Sequence, residues 1–270
     1  MSEATRGPEP ALDFERCFGG LRRLYGDTGA QRIFDAHVLI VGIGGVGSWA
    51  AEAVARSGVG HITLVDMDHV AESNINRQIH ANLATLGMSK VQAMQERIAL
   101  INPGAYVHGV DDFVTPENWR PMVEQLTQDR PFAVIDACDQ TSAKIAMAAW
   151  AMQRKACFVS VGAAGGKRLS HAVDWADLSE TTHDPLLAQV RYRLRKHHGA
   201  AKKGRIGVGC IFSREAVQQP AQVCDAALAE PANDGSLNCH GYGSSVAVTA
   251  TFGQCAAGWV LDALAKGKEN

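Results

Sequence analysis

No CxxC pair occurs among the seven cysteines, which stand apart at positions 17, 138, 157, 210, 224, 239 and 255. Tetrahedral zinc held by paired thiolates is thereby disfavoured, and no zinc is expected. An odd number of scattered thiols gives no disulfide framework and points to a reducing, cytoplasmic compartment. Residues 1–12 contain Pro8 and Pro10 but no apolar signal core, and are expected to be disordered. Internal repeats and low-complexity tracts are missing too. Neither sign of charge dominates: 26 Lys and Arg face 28 Asp and Glu, a formal −2, so a polyanion would have to meet a local patch rather than the whole surface. One uncharged stretch, residues 241–261, has the length of a bilayer span, but four glycines and several Ser and Thr keep its hydropathy low. It reads as a helix buried beneath a site, and membrane association is disfavoured.

What is there suffices for one large core: 270 residues, 46% hydrophobic and 20% charged. Apolar β-branched runs alternate with helical patterns. Strands are expected at 37–41, 61–65, 105–110, 132–136 and 157–161, with helices at 45–57, 88–100, 116–127 and 141–154 between them. That order predicts an α/β fold, a doubly wound, Rossmann-like, mainly parallel sheet. Strands 170–175 and 205–212, with their orientation open, and helices 185–198 and 245–265 extend it. Residues 13–270 are read as a single domain whose nucleotide-binding half is 13–165, and Gln218 to Ser236 as a long loop.

The chemistry begins at Gly42-Ile43-Gly44-Gly45-Val46-Gly47, where a strand must turn directly into a helix. Gly42 permits the turn, Gly44 and Gly45 let backbone amides approach a phosphate, and Gly47 lets the helix pack on the strand. Asp66 ends the next strand, nineteen residues past Gly47, where its carboxylate meets ribose hydroxyls. Up to this point an NAD enzyme fits equally well. Asp68, Asn74, Arg77, Gln78 and Lys90 then add groups that adenosine and a pyrophosphate would not need. The cations Arg77 and Lys90 suit a triphosphate whose charge grows on a departing pyrophosphate. Asp139, just past strand 132–136, is the natural Mg²⁺ ligand, whereas Asp136 serves either that role or a cap for the helix at Thr141.

These residues resemble the ubiquitin-activating-enzyme-like adenylyltransferases, the ThiF/MoeB superfamily. The likeness runs from about Phe34 to Met147 through GxGGxG, D-x-D, the run Ser73-Asn74-Ile75-Asn76-Arg77-Gln78 and Gly87-Met88-Ser89-Lys90. It implies that Asp66 holds ribose, that Asn74, Arg77 and Lys90 hold the triphosphate, and that Asp139 holds magnesium. It also implies that a carboxylate becomes an acyl adenylate in a homodimer, an arginine from the neighbouring subunit completing each site. Arg22 or Arg23 is the candidate, Arg23 being preferred. Residues 166–270 then form the substrate-binding and dimer half.

Further segments are similar to the branch of that family acting on threonylcarbamoyladenosine in tRNA. They are Arg16-Cys17-Phe18-Gly19-Gly20, Asp111-Asp112-Phe113-Val114-Thr115-Pro116, Gly162-Ala163-Ala164-Gly165-Gly166 and Gly207-Val208-Gly209-Cys210-Ile211-Phe212-Ser213, although Cys17 interrupts the branch's R-F-G-G opening. The resemblance implies an ATP-dependent cyclisation beside the anticodon, and a cysteine desulfurase or sulfur acceptor as a further partner. The alternative is activation of a ubiquitin-like sulfur-carrier protein, whose activators usually carry the zinc pairs missing here. Cys239, beside His240, is the thiol to consider for a covalent role, but an intramolecular attack makes such a thiol dispensable.

A tRNA substrate should leave an electrostatic trace. Residues 191–205 hold seven Lys or Arg and no acid, so the other 19 basic residues face all 28 acidic ones, a balance of −9. Arg191, Arg195, Lys196, Lys202, Lys203 and Arg205 are the expected tRNA contacts. Leu187, Val190 and Leu194 fall on one helical face, leaving Arg191 and Arg195 on another.

Overall fold

Seven strands of five residues each form one sheet in the computed structural model, which describes residues 12–127, 132–218 and 242–267. The strands are β1 (His37–Val41), β2 (His61–Val65), β3 (Tyr106–Val110), β4 (Phe132–Asp136), β5 (Cys157–Val161), β6 (Val173–Asp177) and β7 (Gly209–Ser213). Eight α-helices accompany them among the described residues: α1 (Phe14–Phe18), α2 (Gly20–Asp35), α3 (Gly47–Arg56), α4 (Lys90–Ala99), α5 (Trp119–Leu126), α6 (Thr141–Arg154), α7 (Pro185–His197) and α8 (Val246–Lys266). The sheet order is β3-β2-β1-β4-β5-β7-β6. Every pairing is parallel except β6 with β7. From β3 the chain returns across the sheet to β4 on the other side of β1. This reversal opens a crevice beyond the carboxyl ends of β1 and β4, where doubly wound sheets bind ligands.

Alternation along β1 builds two cores at once. Val38 and Ile40 face one side with Ile33, Val54, Phe252 and Val260, whereas Leu39 and Val41 face the other with Trp119, Met147, Leu187 and Phe212. Buried on both faces, β1 is apolar without a break after His37. Helix α8, which takes in most of the uncharged stretch of the sequence, packs on α3, α2, β4 and β5. Phe252 is fully buried there, and cutting it to Ala would cost about 3–5 kcal/mol. Among the described residues no helix is long and apolar enough to cross a membrane.

The expected strands near 37, 61, 132 and 157 fall where the apolar runs place them, and the two orientations left open are now assigned. The strand expected at 170–175 starts later, at Val173, because Ser170–Ala172 is a 3₁₀ turn. The strand expected at 205–212 begins only at Gly209, since the carboxylate of Asp177 takes the amides of Ile206 (2.9 Å) and Gly207 (2.7 Å). Helix α5 starts three residues after the expected 116, because Asn118 folds back on the amide of Thr115 at 2.7 Å. The disorder expected for residues 1–12 falls, apart from Leu12, outside the described residues, as does the loop expected at 218–236 apart from Gln218.

Candidate adenylation site

Gly42 follows β1 with φ +87°, a left-handed conformation that favours glycine, and its amide donates to the carbonyl of Val65 on β2. A Cβ at Gly47 would drive into the Gly42 carbonyl and press on Ala137. The turn is therefore tight at both ends, and α3 begins directly behind it, placing a helix N-terminus at the crevice. Asp66 stabilises the same turn. One of its oxygens accepts from the amide of Ile43 at 2.6 Å and the other from Asp68 at 2.8 Å. Burial raises its pKa, against the pull of Lys90 and these amides.

Lys90 is the first residue of α4, an unfavourable place for a cation because the helix dipole is positive there. It is 6% exposed and donates to Asp68 Oδ2 at 2.6 Å, with Asp66 Oδ1 at 4.0 Å. Its backbone amide is also bonded to the Asp68 carbonyl. A buried lysine held at a helix N-terminus by two carboxylates is poised for an anion entering the crevice.

Arg77 lies across the glycine turn, its side-chain carbons 3.2 and 3.3 Å from where a Gly45 Cβ would sit. The Trp49 indole donates to its carbonyl at 3.0 Å, and Thr249 of α8 does so at 3.4 Å, fixing its backbone. The guanidinium reaches back to the Ser73 carbonyl and to Asn76 Oδ1. Burial lowers its pKa, yet an arginine keeps its charge. Asn74 Oδ1 accepts from the Ala71 amide at 3.1 Å, so this side chain also shapes the loop. Gln78 is buried, and its Oε1 meets no donor among the described residues.

All these groups line one cavity of about 390 Å³. Gly42, Gly44, Gly45, Asp66, Asp68, Asn74, Arg77, Gln78, Lys90 and Asp139 all border it. Gly47 supports the turn from behind. Arg23 is exposed and away from this cavity, whereas Arg22 is engaged with Glu15 at 2.9 Å and over the Phe34 ring. Asp139 is partly exposed on the rim. Cys239 lies outside the described residues.

Asp136 acts neither as a helix cap nor on the rim. It is fully buried, paired with Lys144 at 2.9 Å, and accepts from Ser160 Oγ at 2.6 Å. Burial would lower the pKa of Lys144, but Asp136 outweighs that and the net shift is upward. The ion pair thus ties α6 to the ends of β4 and β5. Cys138 touches the same carboxylate at 3.1 Å, and burial pushes its thiol pKa well up, which makes it a poor nucleophile.

The cavity has a second half that residue-by-residue reading did not place in the site. Asp112, Phe113 and Val114 border it beyond β3, on the Asp66 side. Across the switch point it is bounded by Gly162 to Gly165, by Pro185 and Leu186 at the start of α7, and by Tyr242. Asp184 joins that rim together: one oxygen caps α7 at Leu187 N (2.9 Å) and the other accepts from Ala163 N (2.9 Å). A carboxylate preceding a proline at a helix start was the available signal, and its second bond depends on the tertiary fold.

The basic segment divides on inspection. Arg191 is turned inward and donates to the carbonyls of Leu178 and Thr181, each at 3.0 Å. Arg195 donates to the Ala201 carbonyl at 3.1 Å. Lys196, Lys202, Lys203 and Arg205 are exposed, and so is Arg193.

A glycine turn at the switch point, the Asp66 carboxylate beside it, buried Lys90 and half-buried Arg77 border one crevice, the arrangement of a nucleotide-binding, adenylating site. The chain belongs to the ThiF family, whose model matches residues 20–270. It is 46% identical over 242 residues to the tRNA threonylcarbamoyladenosine dehydratase of Escherichia coli (strain K12), covering 87% of this chain and 88% of that protein. The protein of that name from Haemophilus influenzae is 39% identical over 261 residues, 95% of this chain and 96% of its own length. The crystal structure of the E. coli dehydratase, TcdA, with ATP superimposes with a TM-score of 0.79 at 42% identity, covering 92% of this chain and 93% of that one.

Proposed function

We propose that this chain uses ATP to cyclise threonylcarbamoyladenosine beside the tRNA anticodon. The single observation carrying this reading is the continuity of the cavity. One half holds the glycine turn, Arg77 and Lys90, and the other opens between Gly162–Gly165 and the start of a basic helix. A carboxylate entering from the second half meets the α-phosphate of ATP bound in the first.

A carboxylate is a poor electrophile because oxide is a poor leaving group. Its oxygen therefore attacks the α-phosphorus, the bond to the β-phosphate breaks and pyrophosphate departs. Arg77 and Lys90 stabilise the charge gathering on that group. An atom of the same side chain then attacks the acyl carbon, loses its proton and expels AMP. Ring closure is intramolecular, and such steps reach effective molarities of about 10⁵–10⁸ M.

Asp139 would hold Mg²⁺ at the rim of the cavity. Magnesium takes one or two carboxylates beside phosphate oxygens and keeps several waters, so a single rim carboxylate fits. When bound, it neutralises phosphate charge. Exposed Arg193, Lys196, Lys202, Lys203 and Arg205, with Arg195, supply the tRNA surface. Arg23, exposed outside its own cavity, serves the site of a second subunit. A sulfur-transfer partner would engage Cys239.

ATP–pyrophosphate exchange that depends on tRNA bearing threonylcarbamoyladenosine, with loss of the elements of water from the nucleoside by mass, is the expected result. Exchange supported by the C-terminal glycines of a carrier protein, and not by that tRNA, would overturn it.

A further inference from the structure

Tyr192 sits 58% exposed in the middle of α7. The buried face of the helix is made by Leu186, Leu187, Val190 and Leu194, so Tyr192 contributes little to the core. Its position relative to the cavity is specific. Pro185, Gln189, Tyr192 and Lys196 are all exposed and follow one another at intervals of four, three and four, which places them on one stripe. Pro185 borders the cavity. Seven residues further along the axis, at about 1.5 Å each, Tyr192 lies roughly 10 Å from that rim. Lys196 Nζ lies over one face of the Tyr192 ring, 5.5 Å from its centroid, so a cation is already held at the aromatic surface.

We propose that Tyr192 is a stacking platform for an unpaired base about three nucleotides from the modified adenosine in the anticodon loop, with Lys196 and Arg193 meeting the phosphates beside it. This rests on the function proposed above. Aromatic rings interleaved with cations are how proteins hold single-stranded RNA. A distance of about 10 Å is the rise of roughly three stacked nucleotides, so bases of the same loop reach Tyr192 while the modified one occupies the cavity. The platform therefore sets which loops are accepted, and acts on binding rather than on the chemical step.

Steady-state kinetics on the full-length protein with threonylcarbamoylated tRNA test this. Tyr192→Ala should raise the KM for tRNA by about 5- to 150-fold, the factor equivalent to one stacked base. Its kcat and its KM for ATP should stay within about twofold of the wild type, and Tyr192→Trp should restore the tRNA KM. Replacing the neighbouring bases one at a time by abasic sites should raise the wild-type KM at one position and leave that of Tyr192→Ala unmoved there. An unchanged KM in Tyr192→Ala, or a rise that every abasic tRNA adds to equally, would overturn the stacking role. Failure of the wild type to act on this tRNA would instead remove the functional reading beneath it.

Discussion

Lys90 carries two costs, burial and a helix N-terminus, and among the described residues Asp68 and Asp66 offset them. A phosphate reverses this balance, so the residue is suited to the charge that grows on pyrophosphate. Lys90→Ala should lower ATP–pyrophosphate exchange about 10²- to 10³-fold, the usual loss when one such donor is removed. Lys90→Arg should not rescue it, because a planar fork does not replace a point charge; full rescue would show that only net charge matters. His80 answers a different question. It is 1% exposed, neither ring nitrogen has a partner among the described residues, and burial with Lys90 and Arg97 lowers its pKa to about 4. A folded pKa below the unfolded value near 6.5 means that the native state binds fewer protons. Its stability is therefore full above about pH 6.5 and falls as pH drops towards 4, by on the order of 3 kcal/mol. Urea midpoints should decline across that window in the wild type and much less in His80→Leu; parallel declines would exclude His80 as the cause.

At the scale of elements, the basic loop after α7 is held by one carboxylate. Asp177, 3% exposed, takes the amides of Ile206 and Gly207 and bonds Ser179, and although burial alone would raise its pKa these bonds bring it below the ordinary value. The loop thus presents Lys202, Lys203 and Arg205 from a fixed base. If about five charges of this segment meet phosphates, log affinity for tRNA should fall against log salt with a slope near −3.5 to −4.5. Replacing Lys202 and Lys203 together by Ala should reduce that slope by about 1.4 to 1.8, and an unaltered slope in filter binding would place the tRNA elsewhere. The same elements show what was legible in advance. β1, β2 and β4 were visible because a strand buried on both faces is apolar along most of its length. The glycine turn was visible because its backbone admits few residues. Helix α2 was not, because its residues form no apolar stripe of helical period and it kinks at Gly26. Nor was the Asp136–Lys144 pair, since eight residues separate partners that meet only once α6 folds onto the sheet. The far rim of the cavity escaped for a related reason: Gly162, Pro185 and Tyr242 are far apart in the chain and converge only through the tertiary fold.

In the whole molecule, Arg23 is the cation assigned under the proposed function to the site of a second subunit. It is exposed on α2, outside the cavity lining, while its neighbour Arg22 is engaged with Glu15 and Phe34. If two copies pair about a two-fold axis as proposed, such a residue can complete the partner's site, because whatever one subunit gives the other it also receives. The consequence is testable by mixing. Homodimers of Arg23→Ala lack the donated cation at both sites, and homodimers of Lys90→Ala lack the resident one at both, so each should lose at least 10²-fold in pyrophosphate exchange. Dissociated and reassociated in equal amounts, half of the dimers become mixed. Each mixed dimer contains one site with both lesions and one with neither, since the intact cavity of the Arg23→Ala chain receives Arg23 from the Lys90→Ala chain. Activity should therefore recover to about a quarter of the wild-type value per chain. No recovery, with mixed dimers verified by native mass spectrometry, would mean that Arg23 acts within its own subunit, and undiminished exchange in the Arg23→Ala homodimer would mean that it plays no part.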